Sequence, residues 1–187
     1  RIGQRCTIGP GADISASSIG DDTVIRWSTV EASVVGCSVS IGPYTHLRPH
    51  TEVADGVRIG NFAEVKNSRI GADSRISHHS YIGDTDMGAG VNIGAGVVTV
   101  NYDGYRKHRT IIEDEAFVGC NVNLIAPVRV GAGAYIAAGS TINQDVPAKA
   151  LGIARSRQTN KEGWVERWRA VRREKESRAF DKERDNR

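Results

Sequence analysis

The chain has 187 residues, room for one good hydrophobic core or two small ones, and only 6% of them are aromatic while 21 are glycine. That composition excludes a helical bundle packed with large side chains, and no apolar run is long enough to cross a bilayer. The net charge of +3 divides into +4 on residues 156–187 and −1 on the remainder, too dilute and too mixed with acids to make a nucleic-acid surface.

From the first residues onward an aliphatic residue followed by glycine or a small or polar residue recurs every six positions. The hexads include IGQRCT, IGPGAD, IGDDTV, VGCSVS, IGPYTH, LRPHTE, VADGVR and IGNFAE, and later MGAGVN and IGAGVV. The fifth position is small or β-branched, as at Thr23, Val39, Thr45, Ala63, Ser74 and Val91. A period of six is not helical. It fits a short strand plus a sharp corner, three of which close a triangular coil of about eighteen residues, with coils stacked roughly 4.8 Å apart. Such regularity in internal repeats sets the fold class: all-β, a parallel β-helix over residues 1–154. An antiparallel sandwich predicts alternation within longer strands and looser spacing. Glycine is expected at corners for its backbone freedom. Five-residue steps break the register at VKNSR before Ile70 and at IGDTD before Met87. Cys6, Cys37 and Cys120 are odd in number and form no Cys-x-x-Cys pair, so a disulfide framework is not expected and a reducing, cytoplasmic setting is.

Parallel coiling turns sequence spacing into spatial stacking. Arg48 and Lys66 lie eighteen apart, each in the second slot of its hexad, and so are expected on one corner of adjacent coils. Glu64 and Tyr81 fall at matching last slots beside them. Two cations held that close repel unless an anion, most simply a phosphate, sits with them. The alternative is a solvated charge stripe with Glu64 as counter-ion. The next stretch, SHHSYIGD, places His78 and His79 just before Tyr81, and one of the two is a natural general base. A zinc site is the weaker reading, because His46 and His50 lie about two coils from His78 and His108 stands elsewhere.

The segment NYDGYRKHRT, residues 101–110, breaks the repeat and must leave the coil as a loop. It carries a Tyr-Asp-Gly turn signal and Lys107, and loops on rigid scaffolds tend to carry function. Reaching across to a neighbouring β-helix, it would bring Lys107 to the Arg48 and Lys66 site, an arrangement that needs an oligomer. Hexads resume with IEDEAF and run to INQDVP. Residues 155–187 form a C-terminal arm and a charged helical tail, with Trp164 and Trp168 on one helix face, packed on the end of the coil or on a neighbouring subunit. Fraying is expected beyond about Arg173, where charges are dense.

LRPHTEVADGVRIGNFAEVKNSRIG, SHHSYIGD, GAGVNIGAGVVTVNYDGYRKHRT and IAPVRVGAGAYIAAGSTINQDVP, followed by RSRQTNKEGW, resemble the acetyltransferase domain of the bacterial bifunctional enzymes that make UDP-N-acetylglucosamine, a hexapeptide-repeat transferase family. The likeness covers about residues 41–164. It implies a left-handed parallel β-helix, a cytoplasmic homotrimer with active sites between subunits, and acetyl transfer from acetyl-CoA to glucosamine-1-phosphate without a metal. By the same resemblance, Arg48, Lys66, Tyr81, Asn92 and Lys107 hold the sugar phosphate and His78 is the general base. Acetyl-CoA contacts fall on Ala95, Asn101, Tyr102, Cys120, Ala138 and Arg155. Cys120 stands where the family usually has a hydroxyl residue, and no base beside it makes it a nucleophile. The nucleotide-binding loop of the uridyltransferase half is not in this sequence, and the start at Arg1, already inside the repeat, is expected of a portion of a longer protein. Rival readings are an acyltransferase for another amine or sugar-nucleotide acceptor, a zinc protein related to carbonic anhydrase, and a non-catalytic β-helix. Neither nucleic acid nor membrane is an expected partner.

Overall fold

A computed structural model of the chain describes residues 1–185, with side chains to residue 176. Short strands wind into three parallel sheets of nine, eight and seven strands, which form the three faces of a coil. The first face runs from Thr7–Ile8 to Leu151–Gly152, the second from Asp13–Ser15 to Thr141–Ile142, and the third from Ser18–Ile19 to Val128–Val130. On the second face Glu64 pairs with His46 one coil earlier and Tyr81 one coil later, steps of 18 and 17 residues. Across the 101–109 interruption the step lengthens to 25, as Val98 pairs with Asn123 and Thr85 with Thr110. This is the architecture expected of a left-handed parallel β-helix built from hexapeptide repeats.

The core follows from the register. Because every coil repeats in phase, the first residue of each hexad lies over its counterpart one coil away. The second face therefore buries a column of Val30, Leu47, Val65, Ile82, Thr99 and Leu124, each fully inaccessible. The other faces build matching columns, such as Ile59, Ile76 and Ile93 on the first. The buried fifth-slot hydroxyls satisfy corner carbonyls that no strand reaches: Thr23 Oγ1 donates to Gly36 O (2.9 Å) and Thr45 Oγ1 to Gly60 O (2.7 Å). Trimming Ile82 to alanine removes a side chain stacked between Val65 and Val98–Val100 in a fixed lattice of coils that cannot collapse around the gap. We expect a loss of about 2–5 kcal/mol, read as a lower urea midpoint.

Corner chemistry meets the sequence expectation in part: Gly11, Gly56, Gly90, Gly96, Gly133 and Gly139 take the positive φ expected of corner glycines. The glycines in the second slot do not take positive φ, with Gly9 and Gly42 as exceptions; they make room. A Cβ on Gly60 would lie 1.8 Å from the carbonyl oxygen of Ser77 on the next coil, and one on Gly20 2.5 Å from the backbone of Gly36. The left-handed backbone is carried mostly by other residues, among them Asp22, Tyr44, Phe62, Asn67, His79 and Asp84. Each tolerates it because its N–H reaches a carbonyl of the coil before, as Tyr44 N does Trp27 O (2.6 Å) and Asp84 N does Lys66 O (3.0 Å).

Residues Arg1–Arg155 form one compact unit and Ser156–Arg187 a second. In the second, helix α1 (Trp164–Asp185) stacks Trp164 on Trp168 with centroids 5.9 Å apart, and Arg172 covers Trp168 at 5.2 Å. Helix-favouring Glu, Lys, Arg and Ala carry α1 on past Arg173 to Asp185. The last two residues lie outside the described ones. No helix among the described residues is long and apolar enough to cross a membrane.

Candidate functional site

Val65 pairs with Leu47, and Arg48 N donates to Val65 O (2.8 Å), so Arg48 and Lys66 follow these partners onto one edge of the second face, one coil apart. Arg48 has a counter-ion: its Nη1 donates to Glu64 Oε1 (2.9 Å), and that bond raises its pKa. Both side chains are about two-fifths exposed, so the pair is worth little in stability and is free to rearrange. Lys66 makes no ion pair among the described residues. Lys107 lies against it instead, and the contact with Lys66, with the repulsion between the two ammonium groups, lowers the Lys107 pKa. The negative fields of Asp84 and Tyr81 offset part of that.

Within one chain Lys107 lies at the same edge as Lys66. The loop is closed by its own hydrogen bonds. Tyr102 bridges antiparallel to Lys107, and His108 N donates to Asn101 O (2.9 Å). Asp103 accepts the N–H groups of Tyr105 (2.8 Å) and Arg106 (2.6 Å), and its other oxygen meets His108 Nε2 at 2.7 Å. The Arg106 N–H, His108 and the Tyr105 N–H hold the Asp103 carboxyl well below the usual carboxylate range.

Tyr81 occupies the middle of the face, paired with Glu64 and Val98. Its hydroxyl lies over Gly83, where a Cβ would stand only 2.5 Å away, and accepts from Asn101 Nδ2 at 3.4 Å. Asn101 is 9% exposed, and its Nδ2 also donates to Asp84 Oδ2 (2.5 Å). The sequence reading missed Asp84, a carboxylate only 4% exposed. A signal was present, because Asp84 and its amide donor Asn67 each sit in one of the two five-residue steps.

His78 ends the strand Arg75–His78, exposed and paired with Asn61 at the opposite edge of the second face from Lys66. His79 forms the corner itself and is exposed as well. Along this edge Gly96 N donates to His79 O, Asn121 N to Ala95 O and Gly139 N to Cys120 O. His78, Ala95, Cys120 and Ala138 therefore form a single file, one residue per coil, and the Arg155 side chain passes beside Gly139. Asn101 and Tyr102 lie across the face, with the lysines. Asn92 is not brought together with them: it belongs to the first face, paired with Arg75 and Phe117. Among the described residues no three His, Cys, Asp or Glu side chains converge as a metal ion requires. A groove on the third face, lined by Arg69, Asp86, Met87 and Glu113, holds charges already paired, with Arg69 on Glu52 (3.3 Å) and Arg109 on Asp86 (2.6 Å).

Residues 32–67 and 109–144 match the family described as bacterial transferase hexapeptide (six repeats). The chain is 58% identical over 166 residues to the "Bifunctional protein GlmU" of Geobacillus sp. (strain WCH70), covering 89% of this chain and 36% of that protein. It is 58% identical over 149 residues to the protein of the same name from Caldicellulosiruptor saccharolyticus, covering 80% and 32%. It thus spans about a third of the length of these curated relatives. A solved structure from Desulfovibrio desulfuricans G20, described as a candidate acetyltransferase, shares the fold with a TM-score of 0.54 at 16% identity, over 81% of this chain and 50% of that one. Two blocks of matched hexapeptide repeats, set in the stacked coils described above, accompany a similarity along most of the chain's length to part of the bifunctional GlmU proteins.

Proposed function

We propose that residues 1–154 form an acetyl-CoA-dependent glucosamine-1-phosphate N-acetyltransferase domain, that residues 155–187 serve as its arm and tail, and that the domain works in the cytoplasm as a homotrimer. High identity to proteins named GlmU supports the reaction class. The observation that carries the substrate is the gathering of cations at one edge: Arg48 and Lys66 stand one coil apart, Lys107 is close enough to Lys66 to be repelled by it, and among the described residues neither lysine has an ion-paired carboxylate, which suits a doubly charged phosphate.

In this reading Arg48, Lys66 and Lys107 take the phosphate, with Tyr81 and Asn101 closing the face beside it. Acetyl-CoA runs along the file of Ala95, Cys120 and Ala138 toward Arg155, with Asn101 and Tyr102 as further contacts. The sugar amine attacks the thioester carbonyl and gives a proton to His78. The tetrahedral oxyanion is held by backbone N–H groups near the loop, and the C–S bond then breaks to leave the amide and coenzyme A. Asn92, on a different face from the lysines, supports a site completed by a second copy of the chain.

The test is thiol release from acetyl-CoA with glucosamine-1-phosphate against glucosamine. We expect kcat/KM to favour the phosphorylated acceptor by about a hundredfold or more, the value of two or three charge-assisted hydrogen bonds. Equal rates on both acceptors would overturn the phosphate site. No thiol release with either would overturn the acetyltransferase.

A further inference from the structure

We propose that Asp84 is a positioning residue of this site: it clasps both ends of the loop that delivers Lys107 and sets the Asn101 amide in one orientation. The proposal rests on the acetyl-transfer reading for its kinetic part and on geometry alone for its structural part.

Three successive coils contribute Asn67, Asp84 and Asn101 at one corner. The amide of Asn67 donates to one carboxylate oxygen of Asp84, and that of Asn101 donates to the other (2.5 Å). A carboxylate accepts on both sides, so each amide turns its NH2 toward Asp84 and its carbonyl oxygen away. Asn101 is then left with a fixed acceptor at the edge where Lys66, Lys107 and the Tyr81 hydroxyl meet. The backbone of Asp84 completes the clasp. Its N–H donates to Lys66 O (3.0 Å), and its carbonyl accepts from Thr110 N (3.1 Å). Asn101 opens the loop and Thr110 closes it, so both feet rest on one residue. Among the described residues Asp84 makes no ion pair, yet its negative field acts on the loop cations Lys107 and Arg109. A carboxylate 4% exposed is costly unless fully hydrogen-bonded, and a neutral corner residue would serve packing equally well. What a neutral residue cannot do is accept from both amides and face two lysines.

Asp84→Asn keeps the size and removes one acceptor and the charge, setting NH2 against NH2 on one side. We expect the variant to fold, the KM for acetyl-CoA to rise about tenfold or more through a loosened Asn101, and kcat to fall. The alkaline decline of kcat/KM for glucosamine-1-phosphate should also move to lower pH. Lys107 faces Lys66, Asp84 and Tyr81, and loses one of the two groups that raise its pKa. A folded Asp84→Asn protein with parental KM and a parental alkaline limb overturns the proposal. Should that variant not fold, Asn67→Ala weakens the clasp and keeps the charge: the acetyl-CoA KM should rise while the alkaline limb stays, and an unchanged KM overturns the proposal. If the parent protein itself transfers no acetyl group, the functional reading fails but the clasp is still tested by trypsin. Cleavage at Arg106, Lys107 and Arg109 should be several-fold faster in Asp84→Asn, and equal resistance refutes it.

Discussion

His78→Ala is expected to lower kcat by about a hundredfold to ten-thousandfold, the range lost with a positioned general base, and to leave the coil assembled. The second half of that expectation follows from the structure. The His78 side chain makes no hydrogen bond or ion pair among the described residues and is exposed, so its loss removes nothing that holds the fold. Its carbonyl, which accepts from Ser80 Oγ (3.0 Å), stays in the backbone. His79→Ala is the matched control. His79 has φ +50°, but Ala16 and Ala32 adopt φ of 49° and 40° at corners of the same kind, so alanine is tolerated there. Turnover by His79→Ala should stay within about threefold of the parent. A His78→Ala protein that acetylates at the parental rate, measured as thiol release, removes His78 from the reaction.

How much of this was legible in the sequence depends on how far each feature reaches. The coil was legible because its signal is local and repeated: an aliphatic residue every six positions becomes a buried column such as Leu47, Val65 and Ile82 once coils stack in phase. Arg48 beside Lys66, and Glu64 beside Tyr81, followed from that arithmetic. The two readings of the cation edge turned out to be compatible. Glu64 does neutralise Arg48, while Lys66 has Lys107 against it and no acid. Glycine was legible in part: corner residues such as Gly56 and Gly90 take positive φ as expected, but the role of Gly60 lies in the gap between coils, a distance no single hexad contains. The loop was legible as an interruption, but its internal closure was not. Its closure depends on Asp103 gathering two N–H groups and His108, contacts that the hexad register does not announce. Asp84 was the hardest to see. Its burial needs amides 17 residues away on each side, and only the two shortened steps mark the place.

Lys66→Ala should lower kcat/KM for glucosamine-1-phosphate by about ten- to a hundredfold, with the rate on glucosamine itself within about threefold of the parent, because one charge-assisted bond to phosphate is lost and nothing else. Its pH behaviour gives a sharper test. In the free protein the Lys107 pKa is lowered, first by the Lys66 contact and its repulsion; a phosphate set between the two ammonium groups would raise it again. The protonated form therefore binds the anion better. Affinity is full below the free-state pKa of Lys107 and falls as pH rises through it, before an ordinary lysine would discharge. Removing Lys66 lifts the repulsion, so this decline should shift to higher pH, the opposite of the shift expected for Asp84→Asn. Affinity for glucosamine-1-phosphate, followed by calorimetry across alkaline pH in the two variants, decides the matter. If both limbs move in the same direction, Lys107 is not the group that titrates, and the loop does not deliver its cation to the phosphate.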